Sequence, residues 1–197
     1  MSEHIRTALL IVDVQNDFCE GGSLAVSGGG DVAAAITLYT QRDHGYQAVA
    51  ATRDHHIDPG DHFSDNPDYV KSWPRHCVEG TPGMDFHPRF DASIADATFS
   101  KGKYSAAYSG FEGADSNDVM LGDWLRDRRI NAVDVVGLAT DHCVRATALD
   151  AVAAGFTTRV LLGYCAGVGI DTTDAAIAEM SHAGVTIVPP SLGDHIR

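Results

Sequence analysis

Apolar positions along the chain keep two alternating rhythms. Short β-branched runs recur at residues 8–12, 47–52, 132–136, 157–162 and 185–188, with a weaker run at 97–100. The first of them, Leu9-Leu10-Ile11-Val12, and the run from 133 to 136 are nearly continuous, as expected of strands buried on both faces. Between most of the runs lie Ala-rich segments with helical spacing. Residues 31–42 carry Val32, Ala35, Ile36 and Tyr39 on one face. Residues 142–154 place Cys143, Ala146, Thr147, Asp150 and Ala153 likewise, and residues 172–183 repeat the pattern after a Thr/Asp start. Gly155 and Gly184 stand where two of these helices should stop. Strands joined by helical crossovers predict an α/β fold with a central parallel sheet and helices on both faces, three layers in all.

Residues 54–95 break the rhythm. They hold no convincing strand or long helix and are rich in His, Pro and Gly. A connection of that length is usually functional or disordered, and Phe63, Tyr69, Trp73, Phe86 and Phe90 argue for order. The segment is expected to be an ordered loop packed over the carboxyl ends of the strands. No repeat or linker divides the chain, so residues 1–197 are expected to form one domain, a size that a single core serves.

Composition narrows the partners. Twenty-seven acidic residues against 14 Lys plus Arg give a formal charge of −13, which disfavours nucleic acid and anionic lipid surfaces. The longest early apolar stretch, residues 8–12, is too short for a signal peptide or a membrane span. Cys19, Cys77, Cys143 and Cys165 form no CxxC pair and read as reduced thiols of a cytoplasmic protein. Oligomeric state is left open, because surface and interface helices look alike.

In an open parallel sheet, ligands bind beyond the carboxyl ends of the strands. Out-of-place polar residues gather at that edge. Asp13 closes the first run, Asp54 follows the second, Lys101 follows the weak run, and Cys143 lies just beyond the run at 132–136. A carboxylate in an apolar strand is costly unless paired, so Asp13 is either part of a buried ion pair or a catalytic base. Cys143 sits in Gly137-Leu138-Ala139-Thr140-Asp141-His142-Cys143-Val144-Arg145, where a strand enters a turn that Thr140 or Asp141 can cap and a helix begins. A helix start favours a thiolate, and its N–H groups can hold an oxyanion; the same position also suits a small core residue. Lys101 would favour both charges if it points into the crevice.

A second constellation is Asp54-His55-His56-Ile57-Asp58-Pro59-Gly60-Asp61-His62, with His76 further on. In extended backbone Asp54 and His56 face the same way, and the Asp-Pro-Gly-Asp turn folds His62 back toward them. One carboxylate and three imidazoles suit a divalent ion such as Fe2+, Mn2+ or Zn2+. His55 should point away, Asp58 and Asp61 should build the turn, and Cys77 competes as a ligand.

With these residues in view, the sequence resembles the nicotinamidase/pyrazinamidase family of isochorismatase-like cysteine hydrolases. The likeness runs from Ala8 to about Val188. It is carried by the stretch from Leu10 to Leu24 (LIVDVQNDFCEGGSL), residues 56–63, Tyr108-Ser109-Gly110-Phe111-Glu112-Gly113, and the segment around Cys143. The resemblance implies the isochorismatase-like fold and a catalytic triad falling on Asp13, Lys101 and Cys143. It also implies a metal site on Asp54, His56, His62 and His76, and an oxyanion hole from the amides of Ala139 and Cys143 with a cis Leu138–Ala139 peptide. Phe18, Trp73 and Tyr108 would wall the ring pocket, with Ala139 and His142 beside it. Lys103 raises the question of which lysine faces the pocket, and Phe99-Ser100-Lys101-Gly102 matches the family better. The implied reaction is hydrolysis of nicotinamide to nicotinate and ammonia, and of pyrazinamide to pyrazinoate, within NAD salvage.

Other readings fit the same residues less well. An amidase for N-carbamoyl or aliphatic amides has no need of the His cluster. An isochorismatase lacks the nucleophilic thiol, and a thiol redox protein would place a resolving cysteine near Cys143.

Overall fold

The computed structural model describes residues 4–42 and 44–191. Its sheet is built from β1 (Thr7–Val12), β2 (Ala48–Asp54), β3 (Ala97–Lys101), β4 (Ala132–Leu138), β5 (Thr157–Ala166) and β6 (Thr186–Val188), in the order β3-β2-β1-β4-β5-β6. Every pairing is parallel. The helices are α1 (Gly29–Thr40), α2 (Leu121–Asp127), α3 (Arg145–Ala153) and α4 (Ile170–His182).

Strand alternation splits the core into two layers. Ala8, Leu10 and Val12 of β1 join Phe99, Leu121, Trp124, Ala148 and Met180 on the face covered by α2, α3 and α4. Leu9 and Ile11 point the other way, onto Val32, Ala33 and Ile36 of α1. Helices thus cover both faces, and the three-layer arrangement expected from the run-and-helix rhythm is the one found.

Three details differ from the sequence reading. Helix α2 was not foreseen: it has only seven residues, too few for its apolar spacing (Leu121, Trp124, Leu125) to register as a period. Strand β5 runs on to Ala166, past the last branched residue of its apolar run. The buried face of α3 is Thr147, Ala148 and Ala151, whereas Asp150 and Ala153 are exposed. The helix starts at Arg145, after an extra wide turn, and this rotates the expected face. Gly155 and Gly184 do end α3 and α4, with φ of 90° and 97°, the left-handed backbone that glycine adopts without a Cβ penalty.

The strand order reverses direction between β1 and β4. Chain segments leave that point in opposite directions and open a crevice beyond the carboxyl ends. The segment from residue 55 to residue 96 folds over this edge as an ordered loop, carrying only short helical turns. No helix among the described residues is long and apolar enough to cross a membrane.

Candidate active site

Four consecutive strands of the sheet deliver the polar residues to one place. Asp13 follows β1, is fully buried, and has φ of 49°, a left-handed backbone that few non-glycine residues hold without support. That support comes from β2. The Asp13 N–H donates to the Thr52 carbonyl at 3.2 Å, and the Thr52 hydroxyl donates to Asp13 Oδ1 at 2.6 Å. Lys101, the last residue of β3, lies 2.8 Å from Asp13 Oδ2 and pairs closely with Asp54 Oδ1 as well. Its Nζ is 3.7 Å from Cys143 Sγ and 3.5 Å from the Ala107 carbonyl. Ligand atoms of Asp13, Asp54 and Cys143 all lie within 4.8 Å of one another. The Lys101 ammonium is the cation at the centre of that group.

Burial dominates the protonation states here. It pushes the Asp13 carboxyl above its ordinary value, and Lys101 opposes the rise. Burial also raises Asp54, but Lys101, His56 and His76 together hold that carboxyl below the ordinary range. The Cys143 thiol is pushed well up by burial, against the pull of Lys101, and the negative charges of Asp13 and Asp54 add to the rise. Lys101, between two carboxylates, stays charged despite its own burial. Burial and the neighbouring acids favour the thiol form of Cys143, and Lys101 opposes protonation of Asp13.

The sequence reading placed Cys143 at a helix start, and the structure does the same, while burial opposes the thiolate that such a position favours. Leu138 leads through a cis peptide to Ala139, and Thr140–Val144 form a wide turn in which the Val144 N–H reaches the Ala139 carbonyl at 3.1 Å. That turn runs straight into α3 at Arg145, so Cys143 lies in the first turn of one helical segment, and no side chain caps it. Asp141 faces a different helix: its carboxylate accepts from the Val168 and Gly169 N–H groups at 3.0 and 3.2 Å and from the Thr172 hydroxyl at 2.5 Å. It ties the nucleophile turn to the start of α4 and to Val168, which lines the pocket. Asp141→Ala should cost about 1.5–3 kcal/mol, as expected for lost hydrogen bonds to a charged group, and a denaturant titration against the native chain reads it.

The His-rich loop closes on itself by two short bridges, His56 with Val78 and Phe63 with Trp73. These bring its far limb back over β2, so His76 meets His56 and His62. Ring nitrogens of the three histidines lie within 4.8 Å of one another. His56 Nδ1 bonds the Gly102 carbonyl at 2.5 Å, and His76 Nδ1 bonds the Pro74 carbonyl at 2.7 Å. Both rings therefore turn Nε2 toward Asp54 Oδ2, at 3.5 and 3.8 Å. Gly102 holds φ of 79°, and a Cβ there would lie 2.6 Å from the His56 ring, so glycine is what lets that carbonyl reach the imidazole. His56 Nε2 and His62 Nδ1 are buried without a hydrogen-bond partner. Burial, reinforced by the neighbouring imidazoles, lowers His62 to about 4, and burial lowers His76 too. Imidazoles with inward-facing orphan nitrogens, two of them with outer nitrogens fixed by carbonyls, and a carboxylate beside them fit a divalent ion.

Between the cysteine and the histidines lies a cavity of about 280 Å3, at the small end for ligand pockets. Phe18, Trp73, Tyr108, Ala139 and His142 line it, together with Asp54, His62, His76 and Cys143. The Trp73 indole N–H donates to the Tyr108 hydroxyl at 2.9 Å, and the His142 ring stands edge-on to Trp73 at 5.1 Å. Sequence reasoning missed Val26, Tyr69 and Val168 as lining residues. Tyr69 was visible only as one loop aromatic among several, and nothing in the local pattern marks Val168. Three candidates lie apart from the cluster. His55 pairs with Glu79 at 2.9 Å, Lys103 is exposed, and Cys77 is buried with its sulfur 3.9 Å from the Gly83 carbonyl. Asp58 accepts from the Gly60 N–H at 3.4 Å within the turn, and Asp61 lies on the exposed side of the same turn.

Residues 7–189 match the isochorismatase domain. The chain is 61% identical over 181 residues to the nicotinamidase/pyrazinamidase of Mycobacterium tuberculosis, covering 92% of this chain and 97% of that protein. The pyrazinamidase of Pyrococcus horikoshii, solved in complex with zinc, superposes with a TM-score of 0.80 at 34% identity, over 94% of this chain and 99% of the other. PnC1 from L. infantum, solved in complex with nicotinate, gives a TM-score of 0.82 at 31% identity, over 93% and 92% of the two chains.

Proposed function

Because this chain belongs to the isochorismatase family, we infer that it is a metal-assisted cysteine amidohydrolase that converts nicotinamide to nicotinate and ammonia and pyrazinamide to pyrazinoate. The observation that carries this reading is one small pocket with Cys143, Lys101 and Asp13 at one end and a histidine cluster at the other. The likeness to nicotinamidases and pyrazinamidases extends over nearly the whole chain. One domain carries the activity, and its reaction returns nicotinamide to NAD synthesis. Cys19, Cys77, Cys143 and Cys165 are all free thiols, in keeping with a reducing compartment such as the cytoplasm.

Each residue has a role in this account. Phe18, Trp73 and Tyr108 hold the aromatic ring, and His142 braces Trp73. Asp13 takes the Cys143 proton as sulfur attacks the carboxamide carbon, so no thiolate accumulates in the free enzyme. The carbonyl electron pair moves onto oxygen, where the Ala139 and Cys143 backbone N–H groups receive it. As the C–N bond breaks, Asp13 returns the proton to nitrogen, ammonia departs, and a nicotinoyl thioester remains. Water then gives a proton to Asp13 and attacks the same carbon. The C–S bond breaks, Cys143 recovers its proton, and nicotinic acid loses its own to solvent. Lys101 stays protonated throughout and keeps Asp13 available as an anion. A divalent ion held by Asp54, His56, His62 and His76 supplies, when bound, a Lewis-acid contact for the ring nitrogen.

Ammonia release on adding nicotinamide, measured before and after iodoacetamide and before and after a chelator, tests the assignment. Both treatments should abolish release. Resistance to iodoacetamide would assign the chemistry to a hydrolase without a thiol nucleophile, and no release from the untreated protein would overturn the function. His56→Ala should lower the bound divalent metal, read by elemental analysis, by about 10–100-fold in affinity or more, with KM for nicotinamide rising in step.

A further inference from the structure

Behind the two strands that end in Asp54 and Lys101 lies a second cavity, of about 490 Å3. Successive side chains of an extended strand point to opposite sides. Asp54 faces the first pocket, while its neighbours Arg53 and His55 line the second. Ser100, the neighbour of Lys101, lines it too, and Lys103 and Arg128 complete the cationic side.

The charges of this cleft are unevenly satisfied. Its two carboxylates are engaged by backbone. Asp96 accepts the Val49 N–H at 2.8 Å, and Asp115 accepts those of Asn117 and Val119 at 2.8 and 3.0 Å. His55 is paired with Glu79. Arg53 donates through Nε to the Ser100 hydroxyl at 3.0 Å, and the Arg128 guanidinium lies 3.9 Å above the Trp124 ring, donates to the Trp124 carbonyl at 3.3 Å and helps hold Asp115 ionised. Among the described residues, none of Arg53, Lys103 and Arg128 forms an ion pair with a carboxylate. In a chain with 27 acids and 14 Lys plus Arg, three cations facing one polar cleft, none with a carboxylate within ion-pair distance, are complementary to an anion.

We propose that this cleft binds a small phosphate-class anion, gripped by Arg53, Lys103 and Arg128. A cavity of this volume falls in the range of small-molecule sites, with room for an organic part attached to the phosphate. The Lys103 carbonyl accepts the N–H groups of Ile57 and Asp58, both at 3.0 Å, so this lysine is tied to the segment that follows His56.

The test is a titration of the full chain, isotopically labelled, with inorganic phosphate and in parallel with glycerol phosphate, at ionic strength held constant with chloride. Amide shifts at residues 97–103 and 114–117 are expected to saturate. The probe that saturates at lower concentration tells free phosphate from a phosphate ester. Arg53→Gln combined with Lys103→Gln should weaken binding roughly tenfold or more, and Lys103→Gln alone, at an exposed side chain, should weaken it to a lesser degree with the rest of the spectrum unchanged. Shifts that grow without saturating, shifts confined to residues around His62 and Cys143, or equal binding by the variants would overturn the proposal.

Discussion

Replacing Cys143 by alanine should abolish turnover of nicotinamide while leaving the fold and the metal content intact. The sulfur lies 3.7 Å from the Lys101 ammonium, in a pocket whose other end is the histidine cluster, and the His56 and His76 rings are fixed by the Gly102 and Pro74 carbonyls rather than by the sulfur. Removing a nucleophile from a preorganised site costs on the order of 10^4–10^6 in kcat. What persists is the modest acceleration that oriented amides and a bound ring give without covalent chemistry. The loss should appear in kcat, with nicotinamide still binding. Its checks are an ammonia assay, elemental analysis and a thermal melt on the same preparation. Turnover within about tenfold of the native chain in a folded, metal-loaded variant would show that sulfur does not attack the substrate.

Lys101→Met should have the largest effect on stability. Lys101 is fully buried and is the one ammonium between Asp13 and Asp54, both of which are buried as well. Breaking a buried ion pair by removing one partner costs about 3–5 kcal/mol, because the remaining charge has no water to return to. Here two carboxylates would be left facing each other, and one of them would have to take up a proton. If Asp13 is the one protonated, the base is gone, so activity should fall along with stability. Denaturant unfolding and the ammonia assay read the two effects separately. Lys103→Met, at an exposed side chain, should change stability by no more than about 0.5 kcal/mol. That contrast decides by experiment which of the two neighbouring lysines belongs to the buried cluster.

Much of the architecture was legible because burial leaves a plain mark on sequence. Leu9 to Val12 and the run around Val135 could only be strands covered on both sides, and these form the centre of the sheet. Once parallel strands are inferred, the edge rule places Asp13, Asp54, Lys101 and Cys143 on one rim. The i, i+2 relation between Asp54 and His56 is a property of extended chain and reappears as a 3.5 Å contact. Other features depended on tertiary context and left no local trace. The approach of His76 rests on the two bridges that close the loop, and no spacing between residues 56 and 76 encodes them. Asp141 reads locally as a helix cap, but its hydrogen bonds go to a helix some thirty residues further along the chain. The electrostatics around Cys143 are non-local for a similar reason: position relative to a helix is visible in sequence, whereas burial beside two carboxylates is not. The second cleft was invisible as well, since Arg53, Lys103 and Arg128 are far apart in sequence and converge only through the edge of the sheet.

The central claim is that the carboxamide carbon is transferred to sulfur before water receives it. Intact-protein mass spectrometry of the enzyme quenched in acid during turnover of nicotinamide, followed by peptide mapping, tests that claim directly. A nicotinoyl group on the peptide that contains Cys143, absent from unreacted enzyme and lost as substrate is exhausted, is the predicted result. An adduct on another residue, or none at any quench time under conditions where thioester hydrolysis has been slowed, would contradict it.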